Sequence, residues 1–182
     1  SKEDRVVGDP VWRKDVGNIN VIGVRQNPEI AFNEHVLHND LLIISLNTEP
    51  EISDIYLFSC TMDPKGRILK VAHLMEGVYA SYNALRPHKW VPGRTAMVQD
   101  RDKVLVGRTN THGDLISVKP EKGFFGINIH DSGGYQNSSL GCTVLEPDSE
   151  ENNYQYKTLF KPILKDYCTN KNSIDYMVIN FD

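Results

Sequence analysis

The sequence predicts a mainly β fold in a single β-sandwich or β-barrel-like domain with one or two short helices. Ten short β-prone runs recur along the 182 residues, separated by Gly, Pro, Asn or Asp. Some runs are apolar on both faces, as in residues 18–25 (NINVIGVR), which is typical of two packed layers or a closed sheet. No internal repeat, low-complexity tract or linker interrupts the chain, so one compact unit is expected.

The strand predictions follow the β-prone runs in chain order: residues 18–25, 40–46, 54–60, 68–74, 95–100, 103–108, 115–120, 124–130, 142–146 and 175–181. Residues 75–86 (MEGVYASYNALR) fit either a short helix or a strand with a bulge. A helix is predicted over about residues 153–167, where apolar side chains recur at helical spacing. Pro162 lies inside that segment and should kink or shorten the helix.

Composition and spacing exclude several classes of partner. The formal net charge is -4 and there is no long basic run, so nucleic acid is not an expected partner. The longest mainly apolar stretch, Leu41–Leu46, is far shorter than the roughly 20 residues that span a bilayer, and no signal peptide is visible. His35 and His38 have no third ligand at matching spacing, so neither a metal nor a cofactor is expected.

A histidine and a cysteine flank a loop of small and polar residues. The predicted strand before the loop ends at His130, and Cys142 begins a predicted strand that returns alongside. An imidazole can take the proton of a thiol and so activate it as a nucleophile. Gly141 allows close approach to the sulfur, and backbone N–H groups of Gly141, Cys142 and Asp131 could donate to an oxyanion. The alternative is a buried core cysteine and a hydrogen-bonding histidine.

The other two thiols fit chemistry less well. Cys60 ends a β-like run and could meet His73 or His112, but no loop beside it resembles a catalytic one. Cys168 follows the predicted helix and is interpreted as a packing residue or a surface thiol. Because three cysteines cannot all pair within one chain, at least one thiol is free or paired elsewhere.

The loop motif resembles the catalytic motif of the L,D-transpeptidase family, in which a histidine precedes a Ser/Thr-His-Gly-Cys sequence. His130 matches the base histidine, Ser139 the Ser/Thr, Gly141 the glycine and Cys142 the nucleophile. Residues 60–66, 73–108, 123–134 and 138–145 are together similar to short L,D-transpeptidase-like phage and bacterial proteins. The resemblance runs from about Gly17 to the C-terminus, and it implies an L,D-transpeptidase-like catalytic domain over residues 17–182 after an N-terminal extension, residues 1–16.

The chain departs from the family's motif at several positions. Leu140 stands where the family usually has a second histidine, and Val144 where it often has arginine. Asp131 replaces the glycine that normally follows the base histidine, and the spacing of twelve residues is slightly short. These departures concern the substrate and the transfer step more than the pair of Cys142 and His130.

The resemblance implies a cysteine-dependent acyl transfer on peptidoglycan stem peptides, with Cys142 carrying the acyl group and His130 acting as base. Such a protein would work in the bacterial periplasm or cell envelope, or with a phage. An amine acceptor would give transpeptidation and water would give hydrolysis, and the sequence leaves both open. Carboxylates of the peptide need basic side chains, for which the candidates are Arg86, His88, Lys89 and Arg94. Polar residues proposed to orient His130 or contact substrate are Asn128, Ser138 and Ser139.

Two further interpretations stay open. One is a non-catalytic module on the same fold that binds cell-wall peptide or serves as a phage structural or host-interaction component. The other is an intracellular thiol hydrolase with a different peptide substrate. The enzyme interpretation predicts a lowered pKa for the Cys142 thiol, which separates it from an inert buried cysteine.

Overall fold

The computed structural model describes residues 12–26, 40–62, 71–89, 93–109, 119–132, 139–146, 155–168 and 173–181. Within these ranges the mainly β fold is confirmed. The strands, in chain order, are β1 (Ile19–Gln26), β2 (Asp40–Glu49), β3 (Ile52–Thr61), β4 (Val71–Leu74), β5 (Gly77–Pro87), β6 (Thr95–Gln99), β7 (Val104–Thr109), β8 (Glu121–Gly123), β9 (Ile129–Asp131), β10 (Thr143–Leu145) and β11 (Ser173–Phe181). A π-helical turn, Tyr156–Phe160, leads into the helix α1 (Lys161–Cys168).

Eight strands form a closed barrel in the order β1-β11-β5-β6-β9-β10-β3-β2. The pairs β1–β11 and β9–β10 are parallel, and the remaining neighbours in the barrel are antiparallel. A second sheet has the order β4-β7-β8. Closure leaves the barrel without a free edge strand, which removes the usual site of edge-to-edge aggregation.

The barrel interior is filled by side chains from alternate positions of the strands. Leu42 and Ile44 of β2 are fully buried, as are Tyr82 of β5 and Tyr176 of β11. The two tyrosine rings meet edge to face, with centroids 5.4 Å apart. Fully burying one large apolar side chain contributes about 1.5–3 kcal/mol, so these residues stabilise the wall on which the site is built.

Residues 77–87 form the strand β5, and the alternative of a short helix over residues 75–86 is wrong. The register between β5 and β6 shifts between Asn83 and Arg86, and Leu85 has a φ of 42°. The strand alternative with a bulge is therefore confirmed. Pairing on both sides, with β11 and with β6, stabilises the extended conformation against any local helical preference.

The predicted helix is present, and it continues through Pro162 to Cys168. Pro162 has no N–H to donate to a carbonyl four residues back. The preceding turn is π-helical, with the Lys161 N–H donating to the Tyr156 carbonyl oxygen, five residues back. The wider turn carries Pro162 into α1, whose Leu164 is buried, while Phe160 packs edge to face on Phe58 of β3 at 5.7 Å. No helix among the described residues has the length and apolar character to cross a bilayer.

Residues 12–16, the described part of the predicted N-terminal extension, pack on the barrel. The Arg13 guanidinium lies 2.7 Å from the Asp175 carboxylate of β11. The Arg13 carbonyl oxygen accepts hydrogen bonds from the side chains of Asn20 and Asn47. These contacts tie the segment to β1, β2 and β11.

Candidate active site

His130 lies on β9, and Cys142 immediately precedes β10, the adjacent parallel strand of the barrel. Thr143 is paired with Ile129 and Val144 with His130. The sequence predicted a strand returning alongside, whereas β10 runs in the same direction as β9. A parallel pair needs a crossover of about a dozen residues, and the spacing of twelve between His130 and Cys142 meets that requirement.

The register places both side chains on one face of the sheet. Side chains alternate along a strand, so His130 and Cys142 share a face while Ile129 and Thr143 share the opposite one. Ile129 is fully buried, and the Thr143 hydroxyl lies 3.0 Å from the Tyr176 hydroxyl in the barrel. His130 and Cys142 therefore point away from the barrel interior, and both are partly exposed.

A second histidine completes a compact cluster. One ring nitrogen of His88, one of His130 and the Cys142 sulfur all lie within 4.8 Å of one another. The His88 and His130 rings meet edge to face, with centroids 5.1 Å apart. His88 follows β5, and its backbone N–H donates to the Arg94 carbonyl oxygen at 2.8 Å, which connects it to the start of β6. These three residues, His88, His130 and Cys142, are called the His-His-Cys cluster below.

The Cys142 sulfur is held by the segment that precedes β9. The Asn128 backbone N–H donates to Sγ, and the thiol donates to the Gly126 carbonyl oxygen, both at 3.4 Å. The Thr143 N–H donates to the Asn128 carbonyl oxygen at 2.9 Å. Residues 124–128 were predicted as the first part of a strand, but they are irregular. Their backbone groups form hydrogen bonds with Cys142 and with a glutamine side chain, and not with a neighbouring strand.

That glutamine is Gln99 at the end of β6, a positioning residue that the sequence analysis missed. Its side-chain oxygen accepts from the N–H groups of Phe125, Gly126 and Ile127 at 3.0, 2.9 and 3.4 Å. Its side-chain NH₂ donates to the carbonyl oxygens of Asp102 and Gly123. A buried polar side chain between two strands can replace the missing ladder, and only the tertiary structure reveals it.

Gly141 is required by the turn that carries Cys142. Its φ is +135°, and an added Cβ would lie 2.6 Å from Ile127 Cδ1 and 2.7 Å from the Ala72 carbonyl oxygen. The Gly141 N–H donates to the Ser139 hydroxyl oxygen, and that hydroxyl donates to the Cys142 carbonyl oxygen. The expected oxyanion donor at Gly141 is therefore already engaged in the turn.

The hydrogen bonds of Ser139 and Asn128 differ from the predicted role of orienting His130. Both residues contact Cys142, and the Asn128 side-chain oxygen accepts from the Gln99 N–H at 3.0 Å. His130 is instead held by the Asp131 carbonyl oxygen, 2.6 Å from its Nδ1. Polar residues close in sequence to a loop satisfy the backbone of that loop first. Ser138 lies outside the described residues.

The basic residues proposed for substrate separate into two groups. His88 belongs to the cluster, and Arg94 lies 3.9 Å from the Asp131 carboxylate at its edge. Arg86 and Lys89 are solvent-exposed on either side of His88, and their contact with substrate stays a prediction. Leu140 is 66% exposed, whereas Val144 is buried, so an arginine at that position would have to place its charge in the packed wall.

Burial dominates the electrostatics of the cluster. Burial raises the pKa of the Cys142 thiol, and the hydrogen bonds from the Asn128 N–H and the Ser139 hydroxyl partly lower it again. Burial lowers the pKa of His130, opposed by the hydrogen bond and charge of Asp131, while Arg94 lowers it further. Burial also lowers the pKa of His88, with His130 and Arg94 adding to the effect. The lowered thiol pKa expected from sequence is therefore wrong, and the two shifts favour the neutral forms of Cys142 and His130 near pH 7.

Cys60, the other candidate nucleophile, belongs to no comparable His-Cys cluster among the residues that the structure describes. Cys60 lies on β3, fully buried in the barrel core, and its strand pairs with β10 and β2. His73 lies on β4 of the second sheet, and His112 lies outside the described residues.

Comparison with family models, with curated proteins and with solved structures finds no match to this chain.

Proposed function

We propose that this protein is a cysteine-dependent acyl-transfer enzyme in which Cys142 is the nucleophile and His130 the base. The observation that carries the proposal is the approach of a His130 ring nitrogen to within 4.8 Å of the Cys142 sulfur, on one partly exposed face of the barrel. Nucleophile and base within reach of each other, with the base oriented by a third group, is the arrangement that covalent catalysis requires. The third group here is the Asp131 carbonyl oxygen.

The neutral state of the pair determines how the proton moves. The Nδ1 of His130 donates to the Asp131 carbonyl oxygen, so Nε2 carries the lone pair that can accept the thiol proton. As sulfur attacks a carbonyl carbon, the S–H bond breaks, the proton passes to Nε2, and the carbonyl electrons move to oxygen. The imidazolium then protonates the leaving amine, leaving an acyl group on Cys142. The Cys142 and Asp131 backbone N–H groups are the candidate oxyanion donors.

The substrate class is proposed from the resemblance to L,D-transpeptidases, which implies peptidoglycan stem peptides and a site of action at the bacterial cell envelope or in a phage. Arg94 at the edge of the cluster supports this choice, because a guanidinium suits the carboxylates of such a peptide. An amine acceptor would complete transpeptidation, and water would complete hydrolysis.

The test is a mass-spectrometric search for the acyl-enzyme. Chelator-treated protein is incubated with soluble muropeptides, and the intact mass and the labelled residue are then determined. We expect an adduct on Cys142 that is absent in Cys142→Ser and strongly reduced in His130→Ala, while Cys60→Ala forms it as the wild type does. Lack of any adduct, or an adduct on another residue, would contradict the proposal.

A second candidate is a non-catalytic module that binds cell-wall peptide or acts as a phage structural or host-interaction component. The raised pKa of the partly buried Cys142 thiol favours it, since a protonated thiol is a poor nucleophile. Sedimentation of the wild type with purified peptidoglycan, together with the search for an acyl adduct, separates the two: binding by a wild-type protein that forms no acyl adduct would select the module.

A further inference from the structure

We propose that the His-His-Cys cluster is a binding site for one Zn²⁺ ion. Its ligand atoms come from the end of β5, from β9 and from the turn before β10, and all lie within 4.8 Å of one another. Zn–N and Zn–S bonds of about 2.0–2.3 Å in a tetrahedral site place the two nitrogens and the sulfur roughly 3.3–3.6 Å apart. Closing the cluster on an ion therefore requires inward movements of about 1 Å or a little more, within the reach of side-chain rotation.

The donor set selects the metal. Two imidazole nitrogens and one thiolate sulfur suit Zn²⁺, whereas Mg²⁺ and Ca²⁺ require oxygen ligands. The carboxylate of Asp131, the residue after His130, faces Arg94. Three protein ligands leave the fourth tetrahedral position for water or another small ligand, as in open zinc sites.

The surroundings of His130 also fit a metal ligand. Its Nδ1 is 2.6 Å from the Asp131 carbonyl oxygen. A histidine that ligates a metal commonly donates its other ring N–H to a carbonyl or carboxylate, which fixes the tautomer and aims the free nitrogen at the ion. The same hydrogen bond on His130 leaves Nε2 as the ring nitrogen free to bind an ion.

This inference does not rest on the proposed acyl transfer, although both use Cys142. Binding breaks the S–H bond, forms an S–Zn bond and releases the proton to solvent. The sulfur lone pair that would attack a carbonyl is then engaged by the metal. Zn²⁺ should consequently protect Cys142 from alkylation, and the metal-free protein should be the form that carries an acyl group.

The experiment titrates the full, chelator-treated chain with ZnCl₂ in competition with a chromophoric chelator, and separately with CoCl₂ under a spectrophotometer. We expect one ion per chain and a thiolate-to-cobalt charge-transfer band with the intense visible bands of a four-coordinate site. His88→Ala and Cys142→Ser should each weaken Zn²⁺ binding by more than the roughly 10- to 100-fold typical of losing an outer hydrogen-bond partner.

Two matched variants control for the type of side chain. His73→Asn removes a buried imidazole on β4, and Cys60→Ala removes a buried thiol on β3, so both should bind metal as the wild type does. Circular dichroism establishes that each variant is folded, and the cobalt spectrum of the wild type needs no variant at all. A wild type without the thiolate-to-cobalt band, or a folded His88→Ala with unchanged affinity, would overturn the proposal. Acyl-adduct formation by metal-free protein decides the proposed function separately.

Discussion

Replacing Gly141 with alanine should destabilise the protein through two separable effects. At a φ of +135° an L-residue is strained, at a cost of about 1–3 kcal/mol. The new Cβ would lie 2.6 Å from Ile127 Cδ1 and 2.7 Å from the Ala72 carbonyl oxygen, so a backbone atom as well as a side chain must move. Overpacking of this kind costs about 1–3 kcal/mol, and we expect a total loss of roughly 2–6 kcal/mol in the free energy of unfolding.

Gly93→Ala is the matched control for this experiment. Gly93 has a φ of +79°, and, its chain neighbours aside, no atom of the described residues lies within 4 Å of the position of its Cβ. That variant should therefore lose only the backbone contribution, about 1–2 kcal/mol for a left-handed residue. Urea denaturation of the wild type and both variants measures the difference. Equal losses for the two alanine variants would refute the steric argument and the tight placement of the Cys142 turn.

Three further predictions concern the same wall of the barrel. In chelator-treated protein, iodoacetamide labelling of Cys142 should keep increasing above pH 9, because thiolate is the reactive form and burial raises the thiol pKa; a plateau near neutral pH, read by mass spectrometry, would contradict this. Gln99→Ala leaves backbone N–H groups of residues 125–127 without their acceptor and should cost about 1–3 kcal/mol or more in urea denaturation; unchanged stability would show that the segment does not depend on Gln99. Tyr176→Phe removes the hydrogen bond with Thr143 and should cost about 1 kcal/mol by the same measurement, and a stabilised variant would count against that bond.

The strands of the barrel were predictable because their residues carry the pattern locally. Residues 40–46 and 54–60 alternate or run apolar over a strand's length, and β2 and β3 lie there with extended ends. Residues 75–86 were ambiguous because a β-bulge disturbs the two-residue alternation on which a strand prediction depends. Pairing of β5 with β6 and β11, which the local sequence does not reveal, selects the strand. The parallel direction of β9 and β10 has no local pattern, because it depends on how the chain crosses over between them.

The site was predictable only in part. Cys142 and His130 were found because they bracket one loop, and Gly141 because it adjoins the thiol. His88 follows β5 and lies 42 positions before His130 in the chain. No rule of ligand spacing connects residues so far apart, so the sequence did not predict that the three would meet. Gln99 is equally remote, and its importance lies in backbone groups that leave no pattern in a sequence.

Burial of the cluster has opposite consequences for the two partners of the proposed reaction. It favours neutral His130 near pH 7, which helps the reaction because the base needs a free lone pair. It also favours the protonated Cys142 thiol, which opposes the reaction because the thiolate is the better nucleophile. Both shifts therefore disfavour a preformed thiolate–imidazolium pair. Proton transfer must accompany the attack of sulfur, and its rate depends on the His130 ring staying where the Asp131 carbonyl oxygen holds it. Orientation of the imidazole, more than its pKa, is the property on which acyl transfer at this site would depend.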